Sequence, residues 1–485
     1  MSKLLLIVCL VVSAGSYCIP QIQKQAQQDQ YITVVGDSLK GKMVDGESIR
    51  EVYGHVVLTQ GKLIITCEKA VQYLSRNDAD LEGNVVAKQD TLTIITPKAN
   101  YFGNQKRTRS VSGIRLNDTK VILVADSGDY FFREDRAFFQ GDVKMYDSSS
   151  TLTSDVMTYY KLQNRMVATG HVKIIDSTNT IYADSLEHFR TSRVTFANKN
   201  VKILNSGNNV VIYGDHLEDY AERSYTLINK NPLLIQIDST ITQDTTLNTD
   251  SEKVYGPVQD STIERGINIK SSVQVDTLVI RSEIMEAYRD SLNRFEAKDS
   301  VKIVRGTFAS RNDYSIYFKK PGRIITKKMG QVRPQPVMWN ENTQMTGDSI
   351  NIHLVNNRLK LIDVIGNAFL LSQNQIYTKR YDQISGDTIF ISFDSTGITS
   401  TEVRNQVLSI YYHYENNAGN GLTKSSSQNA LILFKNRKTD QIKMQGFVKS
   451  DLYPEKMVEH RELSYTLPGY VLFTNRPTKE DLIKR

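Results

Sequence analysis

Along much of this chain apolar residues recur at every second position, the period of a β-strand with one buried face. A longer rhythm organises that alternation. Segments open at Gly54, Gly83, Gly113, Gly141 and Gly170, and then at Lys199, where a lysine replaces the glycine. The interval stays close to 29 residues, a steadiness that marks stacked supersecondary units. Two residues after the openings stand Val56, Val85, Val143, Val172 and Val201, and four after them Leu58, Ala87, Met145, Ile174 and Ile203. The third unit slips by one and offers Ile114 and Leu116. Eleven residues after the openings come Ile65, Ile94, Val124, Leu152, Ile181 and Val210, so a second strand returns over the same core.

The pattern reads as strand on both sides of each glycine, as in "RMVATGHVKIID" and "RAFFQGDVKMYD". Glycine inside a strand marks a bend or a close backbone approach. Each repeat is therefore expected to be two antiparallel strands, folded at the glycine and shared between two facing sheets. With strands about 4.8 Å apart, stacked repeats predict an all-β fold. Its form would be an elongated, open, V-shaped β-jelly-roll with an apolar slot along its length. The rhythm divides the chain into first repeats over 31–230, an irregular Asp/Thr-rich connection over 231–272, a second repeat block over 273–450 and a capping tail over 451–485.

Two features precede the repeats. "MSKLLLIVCLVVSAGS" has the order charge, apolar run and small residues of a signal peptide, placed at 1–16, and 17–30 reads as a Gln-rich linker. Export follows, to the periplasm, with association with the outer membrane as a further expectation. Cys18 raises the question of lipidation, against which stands the bulky Tyr17 before it. Cys9 would leave with the signal, so Cys18 and Cys67 build no disulfide framework. The 60 Lys and Arg exceed the 53 Asp and Glu by seven, spread along the chain rather than gathered in a patch. That distribution argues against nucleic acid.

The "G-[polar]-V" openings and return strands such as "IYADSLEHF" resemble the OstA/LptA family of periplasmic lipopolysaccharide-transport proteins. The segments "DTLVIRSEIMEAY", "GDSINIHL", "GNAFLLS" and "YDQISGD" resemble the long OstA-like proteins of Bacteroidetes-type bacteria. The resemblance implies lipopolysaccharide as ligand, held by its lipid A acyl chains. It also implies similar jelly-rolls as partners through end-to-end strand addition, with self-association and an outer-membrane assembly barrel as further partners. This chain departs from the compact family members by its second block.

The residues themselves offer no catalytic constellation. No HExxH, CxxC, P-loop or GxSxG spacing occurs, so neither cofactor nor metal is expected. Asp126, Asp155, Asp184 and Asp215 recur at related places and read as bend residues satisfying backbone donors, ahead of a calcium ladder. Candidates for the slot lining are Val56, Leu58, Ile65, Val85, Ile94, Val124, Val143, Met145, Leu152, Val172, Ile174, Ile181, Val201 and Ile203. These rows are core first, and become a ligand surface only where the sheets splay apart. Arg115, Lys144, Lys173 and Lys202 form a basic column suited to phosphate or carboxylate at the rim, or else a solvated face. The rival function is a secreted β-solenoid scaffold or adhesin with a closed core; a β-helical polysaccharide lyase stands third.

Overall fold

In the computed structural model the described residues are 31–205, 207, 209–246, 268–330, 334–355, 358–436 and 438–484. The expected signal peptide and Gln-rich linker lie outside them. The chain divides into two compact units, one of residues 1–177 and 183–191, the other of 178–182 and 192–485. Both are built almost wholly from antiparallel strands bent at a fold line, the all-β jelly-roll architecture read from the alternation.

In the first unit the corners show how the sequence folds a strand. Opposite Gln140–Val143 the partner runs only from Val156 to Ser154, so Gly141 and Asp142 oppose the single residue Asp155. Two residues against one is a β-bulge, which bends the strand and re-aims its remaining side chains. Both bulge residues are left-handed, at φ +80° for Gly141 and +39° for Asp142. Gly54–His55, Gly83–Asn84 and Gly170–His171 repeat the pair. At Gly170 a Cβ would sit 2.3 Å from the Asp155 carboxylate, which meets His171 Nδ1 at 2.8 Å. Glycine is needed there for conformation and for the room the acid fills.

Alternation then packs one face. Leu58, Ile65, Ala87, Ile94, Leu116, Leu123, Met145 and Leu152 succeed one another across the strands and are buried together with Val56. At the strand ends away from the corner, Tyr101, Tyr130 and Tyr159 turn inward and are fully buried. Tyr101 donates to Gln60 and Tyr159 to Asp118, both buried polar groups, while Tyr130 donates to Asp135 at 2.9 Å. Burial leaves the Tyr101 and Tyr159 hydroxyls far above the ordinary tyrosine range. These rings fill the gap between the sheets. The first unit is a closed core.

On the outer face of the same strand ends, Phe102, Arg107, Phe131, Arg136, Tyr160 and Arg165 alternate across paired strands. Arginine lies 4.1 Å from the Phe131 centroid and 4.9 Å from that of Tyr160. Such pairs add about 0.5–1 kcal/mol each at exposed sites, and fasten the strand ends.

The second unit repeats the corner without always using glycine: Lys199–Asn200, Asp299–Ser300 and Asn405–Gln406 are left-handed beside Gly366–Asn367 and Gly446–Phe447. Where an irregular connection is expected at 231–272, the described ends are strands. Leu233–Thr246 pairs with Asn268–Arg281 from Leu233↔Arg281 to Thr246↔Asn268. The segment "IQIDSTITQDTT" is rich in Ile and Thr, residue types enriched in strands. The unit's interior cluster includes Met338, Met345, Ile362, Val364, Leu370, Ile389 and Val403.

The tail comes after strand Lys449–Tyr453 and lies along the outer face of one sheet. Neighbouring residues of a strand alternate faces, so Met338 joins the interior cluster while Val337 and Trp339 pack with Leu482. In the same way Leu370 points in, and Phe369 and Leu371 pack with Val458 and Leu467. Gln383 receives Leu467 N–H at 2.9 Å and Gln344 receives Phe473 N–H at 2.9 Å. Arg380, 2 % exposed, pairs with Glu455 and stacks on Tyr377 at 4.5 Å.

Candidate functional site

The structure separates the expected slot residues into two groups. Val56, Leu58, Ile65, Val85, Ile94, Val143, Met145, Leu152 and Val172 are all at most 1 % exposed and pack on each other in the first unit. Ile174 is half-buried against that core. In the second unit Val201 is buried, and Ile181 and Ile203 are half-buried. Val124 faces the other way: it pairs with Arg115 and Lys144, and Leu123 takes the inner place opposite Met145. The third repeat is broken at 111–113 between strands Arg107–Ser110 and Ile114–Asn117, which shifts its phase by one residue.

The basic column is a cross-strand row. Arg115↔Val124, Val124↔Lys144, Lys144↔Thr153 and Thr153↔Lys173 succeed one another on the outer face of the first unit. Lys144 Nζ meets Asp142 at 2.7 Å. Lys202, in the second unit, sits 6.0 and 5.9 Å from the Tyr182 and Tyr213 centroids. The acids read as bend residues occupy the corners: Asp126 faces Gly141 and Asp155 faces Gly170, joined by Glu68 at Gly83 and Asp348 at Gly366. The histidines share in these local contacts, His55 with Asp37 at 2.8 Å and His353 with Asp363 at 2.8 Å. The Asp37 carboxylate raises His55 above the ordinary imidazole range. Among the described residues no group of three or more His, Cys, Asp or Glu could hold a metal ion.

Open space between sheets lies in the second unit. One cavity, of about 620 Å³, is walled by Leu278, Ile280, Phe295, Ile303, Tyr317 and Ile324, with further aliphatic side chains. Its polar lining includes Gln236, Asp276, Arg305 and Thr307, with the hydroxyls of Ser310, Ser315 and Thr326. Arg305 Nε meets Asp276 Oδ2 at 2.6 Å. A second cavity, of about 460 Å³, lies between strands Thr343–Thr346, Arg358–Gln373 and Tyr381–Asp394 and the later ones through Lys438–Gln445. Both volumes fall within the range of small-molecule sites. Sequence reading placed its slot candidates between 56 and 203 and named none of these residues. The signal available was the inward tyrosine row at 101, 130 and 159, which recurs at the repeat period and stops before the second unit.

Among known proteins, residues 29–184 match the family model described as OstA-like protein. No curated relative matches the sequence. A solved structure, that of LptH, the LptA homologous periplasmic component of the conserved lipopolysaccharide transport device from Pseudomonas aeruginosa, is 16 % identical. The match covers 35 % of this chain and 84 % of that one, at a TM-score of 0.12, too low to carry a structural argument.

Proposed function

We propose, for a chain whose residues 29–184 are OstA-like, that the protein is an exported, non-enzymatic lipid-binding component of lipopolysaccharide transport in the periplasm. The acyl chains would lie in the second unit. The observation that carries this reading is the cavity of about 620 Å³ with aliphatic and aromatic walls and a polar lining that includes Arg305, Asp276 and Gln236. Each methylene withdrawn from water contributes about 0.8 kcal/mol, so an apolar recess with polar groups in its lining suits an amphiphile. The exposed strand Ser38–Val44 of the first unit, and the exposed strands Lys438–Gln445 and Lys449–Tyr453 of the second, support strand addition by similar proteins.

A scaffold role fits the first unit, because its inner rows are already filled by one another and by Tyr101, Tyr130 and Tyr159. The two roles divide cleanly in one experiment. Photo-reactive residues are placed singly at Phe295 and Tyr317, and at Val143 and Ile65, in cells making lipopolysaccharide. The proposal expects crosslinks from the first pair and none from the second. Crosslinks from neither pair, with export intact, would leave only the scaffold.

A further inference from the structure

The second cavity differs from the first in the chemistry of its polar lining. One side is apolar, with Phe393, Ile398 and Phe434 at the strand ends. The other side carries Asn342, Thr343, Gln373 and Gln375, and its charged lining groups among the described residues are Glu341 and Asp382. No lysine, arginine or histidine lines it among the described residues. Asp382 pairs with Ser372 in register, next to the Leu370–Ile384 pair that lines the cavity. Its Oδ1 accepts the Tyr412 N–H at 2.9 Å. Gln383, one residue on, also borders the cavity, and its side chain bonds the tail, donating to Tyr465 O at 3.2 Å and accepting Leu467 N–H at 2.9 Å.

A carboxylate lining an apolar recess, among side-chain amides, favours hydrogen-bond donors and disfavours a second anion. The first cavity's lining includes the cation Arg305, whereas the polar groups described around the second are acids, amides and hydroxyls. We propose that the cavity at Asp382 and Glu341 is a separate binding site for an amphiphile with a non-anionic, hydrogen-bond-donating head. Such a head is an ammonium or a sugar bearing hydroxyls. The chain lies against Phe393, Ile398 and Phe434, and the head against Asp382 and the amides. This assignment is independent of the passenger proposed for the first cavity, since it rests on the lining of the second alone.

The test uses the full mature chain and three dodecyl amphiphiles, each with a diazirine at the chain end and each below its micelle concentration: dodecylammonium, dodecyl maltoside and dodecyl phosphate. Labelled peptides are mapped by mass spectrometry. Dodecylammonium or the maltoside should label the peptides holding Phe393, Ile398 or Phe434 roughly tenfold more than the phosphate, the scale of one hydrogen bond to a charged group. Asp382→Asn, which keeps a carbonyl for the Tyr412 N–H, should remove most of that preference while leaving labelling at Tyr317 unchanged. If the ammonium alone shows the preference, the head is an amine; if the maltoside shows it, the head is a sugar. Equal labelling by the phosphate, or a preference that survives both Asp382→Asn and Glu341→Gln, would overturn the proposal. Glu341→Gln keeps the test open should the first variant fail to fold.

Discussion

Replacing Gly170 by alanine tests the corner that gives the first unit its shape. Gly170 has φ +77°, a region that costs an L-residue about 1–2 kcal/mol. The new Cβ would also lie 2.3 Å from Asp155 Oδ2 and 2.8 Å from Asp155 Cβ. Asp155 must move, losing its contact with His171, an exposed pair worth less than about 1 kcal/mol. Together these make Gly170→Ala destabilising by roughly 2–4 kcal/mol. Hydrogen exchange of peptides across strands Thr151–Tyr160 and Arg165–Ile175 reports on the first unit. Fluorescence of Trp339, the single tryptophan, serves as control for the second. In an Asp155→Gly background the obstruction is gone, and the same substitution should cost only the left-handed part, about 1–2 kcal/mol. A cost below about 0.5 kcal/mol, or one identical in both backgrounds, would refute the account of the corner.

Further outcomes can be measured on the same protein. Burial pushes Asp382 up to about 6, against the favourable Tyr412 N–H. The native state therefore binds its proton more tightly than the unfolded chain, and stability falls as pH rises from about 4 through 6. The shift corresponds to at most about 3 kcal/mol. Asp382→Asn should flatten this dependence in urea titrations read at Trp339, and an unchanged slope would count against it. Tyr159→Phe removes the hydroxyl that donates to Asp118 Oδ2, while Oδ1 keeps the Lys120 and Val121 N–H groups, and should cost about 1–2 kcal/mol, against about 3–5 kcal/mol for Tyr159→Ala, by denaturant titration. Arg380→Ala leaves the Glu455 carboxylate with only the Gly421 N–H of its partners and should cost about 3 kcal/mol. It should also release the tail to limited proteolysis beyond Pro454; a tail that stays protected would show that its apolar contacts suffice.

Much of the fold was legible from the alternation because its period is a local property. Val143, Met145, Val172 and their equivalents point inward wherever a strand has one buried face, and the recurring glycines marked the corners because φ near +80° is readily reached without a Cβ. Local phase was also the weakness. One irregular connection, at 111–113, turned Val124 outward and gave its place to Leu123. The strands Leu233–Thr246 and Asn268–Arg281 were obscured by polar composition, since Asp, Ser, Thr, Gln, Asn and Lys make up most of 238–246 and 268–272. The aromatic–arginine row was available at the repeat period in Tyr73, Phe102, Phe131, Tyr160 and Phe189, but cation–π pairing joins strands that only the register brings side by side.

By itself, then, the sequence determined bent antiparallel strands with one apolar face and a steady unit of about 29 residues. Whether two apolar faces touch or leave a gap depends on what crosses between them, and only the tertiary structure decided that. In the first unit Tyr101 and Tyr159 reach polar partners about forty residues away and close the core. In the second, no comparable ring among the described residues fills the two cavities, and the sheet beside them finds its remaining apolar contacts in the tail on its outer face. The same aliphatic rows are packing in one unit and the walls of open space in the other, because burial is a property of the facing surface as much as of the residue.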